Sequence, residues 1–138
     1  DPTFIGVPMS GVSRHILRTV DVATIVRARR ANYRWLQEAL ADFSELEPLH
    51  PALGDGVCPW VLPFVARGRH NLHLELRRRG VSAFTWGDVV HPALPISDFP
   101  DAGYLYDKLV LLPIHQSLTM PDLEAMVGAI RSALGRRE

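Results

Sequence analysis

The six residues Leu109–Ile114 (LVLLPI) carry no polar side chain, and shortly afterwards Thr119 opens an amphipathic segment. A continuous apolar run of this length reads as a strand buried on both faces. The segment after it reads as a well-specified helix. Thr119 is a capping residue, Pro121 lies in the first turn, and Asp122 sits at the third helical position, the arrangement of a capping box. Leu123, Met126, Val127, Ile130 and Leu134 then form one stripe, and Gly135 stops it. Arg131, Arg136 and Arg137 complement the negative end of the helix dipole. A buried strand joined to a one-faced helix points to a layered sheet-and-helix domain.

The remaining elements fit that plan. Asp21 can cap a second long helix, with apolar residues at Val22, Ile25, Val26, Tyr33, Leu36, Leu40 and Phe43. Arg29 interrupts this stripe, and an arginine stem can cover apolar surface while its head reaches water. The opposite face carries Arg27, Arg30, Arg34, Gln37 and Glu38; it reads as a solvated face, with an oligomer or ligand surface as the sharper reading. Residues 1–20 form an irregular lead broken by Pro2, Gly6, Pro8 and Gly11, with a helical turn or two within Val12–Val20. Residues 44–59 read as loop, Cys58–Ala66 as a strand in which Pro63 demands an outward amide or a bulge, and Val81–Trp86 as another strand. Residues 70–80 fit a strand by their alternating leucines, and a helix by Leu72, Leu76 and an arginine run closed by Gly80; helix is preferred. A long loop over 87–108 ends in a short helix near Ala102–Lys108. The expected fold is α/β or α+β, a small, mainly antiparallel sheet with helices on one face.

Composition narrows the function classes. The chain has 138 residues, 47% hydrophobic and 22% charged, which excludes a disordered tail and allows one core. Fifteen basic residues balance fifteen acidic ones, so the basic surplus of a nucleic-acid domain is missing. No apolar run approaches the ~20 residues of a membrane span. A single cysteine, Cys58, cannot make an internal disulfide, so a reducing compartment, the cytoplasm, is expected. The chain opens on Asp1 rather than Met, which reads as a piece of something longer. Fourteen of the fifteen basic residues are arginine, and Lys108 is the only lysine.

The chemical motifs are sparse. His70 and His73 stand three apart, as a two-ligand metal pair would, yet no Cys or acidic cluster completes a set; they read as solvated histidines at a helix start, and no metal is expected. No nucleophile elbow, dinucleotide fingerprint or phosphate loop occurs, and Cys58 reads as a buried structural residue. Asp98 and Asp101 fall in a turn-rich loop, where aspartate is common. The segment from Leu112 to Thr119 is the most unusual: His115 and Gln116 follow a strand end and precede a capped helix. They either bond turn backbone or face a ligand.

Four stretches in order resemble one family. They are Arg29–Arg30–Ala31–Asn32–Tyr33 with Leu36 and Leu40; Pro59–Trp60 with Leu62–Pro63–Phe64; Leu76 through Gly80–Val81; and Leu111–Leu112–Pro113–Ile114–His115–Gln116–Ser117–Leu118–Thr119 with Asp122–Leu123. Together, over residues 9–134, they resemble the C-terminal domain of the DegT/DnrJ/EryC1/StrS aminotransferases, the sugar aminotransferases that include perosamine-synthetase-like enzymes. The resemblance implies a pyridoxal-phosphate enzyme aminating a nucleotide-linked keto-sugar, a homodimer in the full-length parent, residues 1–20 as a lead from a missing N-terminal large domain, and residues 21–138 as the small domain. In that family the cofactor lysine, the stacking aromatic and the carboxylate on the ring nitrogen lie upstream of this region. Lys108, in Tyr106–Asp107–Lys108–Leu109, does not resemble the cofactor-lysine segment and reads as an exposed lysine before a strand. No catalytic or cofactor-binding residue is therefore expected here, and no pyridoxal phosphate in this piece alone. Trp86, His91, His115 and Gln116 are substrate-side candidates. The segment Trp86–His91 departs from the family's H-Y-x-P-L-H stretch and keeps only a His91–Pro92–Ala93–Leu94 echo. The competing readings are a non-catalytic binding module of the same fold and an unrelated small α/β domain.

Overall fold

A computed structural model describes residues 6–86 and 90–135. In chain order the elements are α1 (Gly11–Thr19), α2 (Val22–Ala39), β1 (Leu46–Pro48), β2 (Val61–Ala66), α3 (Leu72–Arg78), a 3₁₀ turn (Ile96–Asp98), α4 (Pro100–Lys108), β3 (Leu109–Pro113) and α5 (Met120–Ala133). The strands form one antiparallel sheet in the order β1-β2-β3. The α/β class, the helix over residues 70–80, the helix before β3 and the capped final helix are all as expected.

Strand parity sorts the sheet's two faces. Leu62, Phe64 and Ala66 of β2 lie opposite Leu112 and Val110 of β3 and Leu46 of β1, and all six join the main core with Leu36, Leu76, Leu123 and Ile130 from α2, α3 and α5. Val65 pairs with Leu109 on the other face. Both are buried outside the main core cluster, and Leu109 shares a cavity wall with Ala102, Leu105 and Tyr106 of α4. That two-sided burial explains why LVLLPI shows no alternation.

Pro63 sits in the central strand, where a missing amide is normally excluded. Its carbonyl accepts the Leu49 amide at 3.1 Å. The N–H and C=O of one strand residue point to the same side, so its ring lies toward β1, where that three-residue ladder has just ended.

Two strand expectations are corrected. Val81–Trp86 makes only an isolated bridge, Phe84 with Leu111, through bonds of 3.2 and 2.7 Å. Within 44–59, read as mostly loop with no strand assigned, β1 forms at Leu46–Pro48. It is held from afar: the Arg67 amide donates to the Glu45 carbonyl at 2.7 Å, and the Arg67 guanidinium meets Glu47 at 2.8 Å.

The helix ends follow local chemistry. The Asp122 carboxylate accepts the Thr119 amide at 2.8 Å and its hydroxyl at 2.6 Å, which holds its pKa below the ordinary carboxylate value. Gly80, at φ +85°, closes α3 and lets the Val81 amide reach back to the Leu76 carbonyl at 3.0 Å. At the other end of the chain the packing thins out. α1 has no buried residue, Val12, Ile16 and Leu17 are exposed, and α2 is buried only from Tyr33 onward. Among the described residues no helix is long and apolar enough to cross a membrane.

Candidate functional site

The four substrate-side candidates fall into two groups. Trp86 and His91 line one cavity of about 340 Å³ with Val90, Leu94, Ile96 and residues of α4. Its surface is almost wholly apolar. Trp86 is 68% exposed and meets Trp60 edge-on at 6.4 Å, and Trp60 packs at 5.7 Å on Phe84. Three aromatic rings thus stand together at the sheet's β3 edge, two of them largely in solvent. Trp60 was not among the candidates; its place directly before β2, beside the Phe84 bridge, depends on long-range pairing. The His91 ring accepts the Ala93 amide through Nδ1 at 3.2 Å, leaving Nε2 outside that local turn. Gly87–Val89, in the segment that departs from the family pattern, lie outside the described residues.

His115 and Gln116 form the second group, in the turn between β3 and α5. The Gln116 Oε1 accepts the Arg29 Nε–H at 2.9 Å, and the His115 carbonyl accepts the Asn32 side-chain amide at 2.9 Å. The His115 Nδ1 lies 2.7 Å from the Ser117 hydroxyl. Two of the stretches that carried the family resemblance are therefore one structural unit. Arg29 and Asn32, one helical turn apart on α2, hold the turn after β3 in place. Gln116 is committed to this tie, while the His115 ring stays exposed. The α2 face read as solvated is in part committed to a loop: Arg30 donates to the Gly54 and Val57 carbonyls at 3.0 and 2.6 Å, and Gln37 to those of His50 and Pro51. Burial raises the pKa of Tyr33, whose hydroxyl donates to the His50 carbonyl at 3.3 Å.

Three single-residue expectations are overturned. Cys58 is exposed, because β2 starts only at Val61 and leaves it in the preceding loop. His73 is buried against α3's inner face, next to Leu72 and Leu76, and is not a solvated partner of His70. Lys108 keeps only 13% of its side chain exposed. Its amine lies 2.9 Å from Asp107 and 3.1 Å from both ring nitrogens of His70, while His70 Nδ1 meets Asp107 at 2.7 Å. This cluster ties the turn before α3 to the end of α4. Among the described residues no group of three or more His, Cys, Asp or Glu can hold a metal.

The bond from Lys108, then that from His70, holds the Asp107 pKa below its ordinary value of 3.8. A depressed carboxylate pKa stabilises the fold above the unfolded value and loses that contribution as pH falls through the folded one. The tie is therefore expected to be intact at neutral pH and to release below about pH 4. Asp107→Asn should be less stable than the parent at pH 7, with the difference vanishing near pH 2 in urea titrations. A difference independent of pH would exclude the carboxylate as its cause.

Scanned against protein-family models the chain matches none, and no curated protein matches it. Solved structures do match. DesV of S. venezuelae, in complex with a ketimine intermediate, aligns over 92% of this chain at 23% identity with a TM-score of 0.71. The aminotransferase TlmJ of Streptoalloteichus hindustanus aligns over 83% at 22% identity (TM-score 0.68), and a DegT DnrJ EryC1 StrS aminotransferase of Brucella abortus over 81% at 21% (TM-score 0.62). The fold is that of part of a sugar aminotransferase. The aligned region is 36%, 33% and 32% of those three chains, so this chain spans about a third of their length.

Proposed function

We propose that this chain is the C-terminal small domain of a pyridoxal-phosphate aminotransferase that acts on a nucleotide-linked keto-sugar in the cytoplasm. The observation that carries the reading is the match to solved sugar aminotransferases at TM-scores of 0.61–0.71 over no more than 36% of their length. In this reading the N-terminal large domain supplies the cofactor lysine, and residues 21–138 wall the substrate cleft through Trp86, His91, His115 and Gln116. Residues 1–20 come from the junction with that large domain. The bare apolar face of α1 and the unburied first turns of α2 supply the surface it would cover. The parent is a homodimer.

The residues present do not fit the cofactor on their own. Pyridoxal phosphate needs a lysine with a free amine, and the only lysine is largely buried with its amine held by Asp107 and His70. No step through the cofactor is therefore assigned to these residues.

The test uses the 138-residue chain and its coding sequence. Incubated with pyridoxal phosphate, the chain should show no transamination, and a separate sample then reduced with borohydride should show no absorbance band that Lys108→Ala abolishes. The coding sequence upstream of Asp1 should run on for about twice the length of this chain and contain the cofactor lysine. A Lys108-dependent band with turnover, or a start codon just before Asp1, would overturn the proposal.

A further inference from the structure

Charge is segregated along the chain. Residues 35–66 carry five carboxylates and no lysine or arginine, whereas residues 67–80 carry five arginines against Glu75 alone. The fold gathers much of the second segment round one open cavity of about 490 Å³, lined by His70, Asn71, Leu74, Glu75, Arg78 and Arg79. Arg79 binds one Glu75 oxygen at 2.9 Å, and Arg69 approaches the other at 3.9 Å. Asp107, the carboxylate beside His70, is taken by Lys108 and by His70 itself. Three guanidiniums, Arg78 and Arg79 in the lining and Arg69 beside it, thus stand against one carboxylate that pairs with only two of them, leaving two positive charges in excess. The negative end of α3 offsets only about half a charge. Two donors at the cavity stay uncommitted: Arg78 has no hydrogen bond or ion pair among the described residues, and the Asn71 side chain makes no capping bond to α3.

We propose that this cavity binds an anion bearing phosphoryl groups, gripped by Arg78 and Arg79 with Asn71 as a neutral donor. The guanidinium fork matches phosphoryl oxygens in a bidentate fashion. A phosphoryl group carries about −1.5 to −2 at pH 7, which balances the excess that a single carboxylate would leave half met. The anion is free phosphate or pyrophosphate, or a phosphate ester. The site is independent of the aminotransferase reading: it involves none of Trp86, His91, His115 or Gln116.

The experiment is a backbone-amide NMR titration of the 138-residue chain with inorganic phosphate, pyrophosphate and a nucleoside diphosphate. Saturable shifts at the Asn71, Leu74 and Arg78 amides are expected. Arg78→Ala should weaken binding about tenfold, the scale of one charge-assisted hydrogen bond. Glu75→Gln should strengthen it several-fold by removing the competing carboxylate. Arg77→Ala, at a separate depression shared with Gly80 and Ser82, should change it by less than about twofold. Arg78 is exposed and unpaired among the described residues, so its loss should leave the fold intact, which the unperturbed spectrum checks. Tighter binding of the nucleoside diphosphate than of pyrophosphate assigns an ester, and the reverse assigns the free anion. Absence of saturable shifts with all three probes, equal weakening by Arg77→Ala and Arg78→Ala, or weaker binding in Glu75→Gln would overturn the proposal.

Discussion

Phe64→Ala is expected to destabilise the domain by about 3–5 kcal/mol, the cost of an emptied aromatic site in a packed core. Phe64 is 1% exposed on the central strand, opposite Val110 and facing the layer built by α2, α3 and α5. Removing it opens a void between sheet and helices that backbone shifts cannot easily fill, because strands on both sides fix β2. Against a total of about 5–15 kcal/mol for a domain of this kind, the variant should sit near the edge of unfolding at room temperature. Urea denaturation followed by tryptophan fluorescence checks it: the midpoint should fall steeply with the slope unchanged. Val65→Ala, on the face outside the main core, should cost less. If Val65→Ala cost more than Phe64→Ala, the assignment of β2's two faces would be reversed.

How far the sequence foretold this fold depended on whether the controlling partners lie near or far along the chain. The α5 cap was readable because Thr119 and Asp122 are three residues apart and bond each other. The β3 strand was readable because double-sided burial leaves an unbroken apolar run. β1 was not readable, since three residues ending at Pro48 acquire strand geometry only by pairing with Phe64, Val65 and Ala66 of β2, far along the chain. Lys108 failed for the same reason: its amine meets His70, thirty-eight positions away. Cys58 was misplaced because an apolar stretch shows that a strand is present but not where pairing starts. Of the four candidates, Gln116 had a legible signal in its partner. Arg29 fills a slot in the α2 stripe where an apolar residue belongs. Its head was expected to reach water, whereas the folded chain gives it a partly buried acceptor.

That acceptor is Gln116, and breaking the tie should have the second-largest effect. The Arg29–Gln116 bond is partly buried and charge-assisted. Arg29→Met keeps most of the stem but leaves Gln116 Oε1 without its donor, a loss of about 1.5–3 kcal/mol. Gln116→Ala should cost less when made in the Arg29→Met background than in the parent, with a coupling of about 1 kcal/mol in a double-mutant cycle. The neighbouring bond from Asn32 to the His115 carbonyl remains in both variants, so the turn should stay near its place but lose its fixed side-chain arrangement. The His115 ring resonances report this, His115 being the residue next to Gln116 in the same turn. They should shift or broaden in Arg29→Met and be unmoved by Arg34→Met, an exposed position on the same helix. If the two effects simply add, the Arg29–Gln116 bond does not order the segment after β3, and Asn32 alone ties that turn to α2.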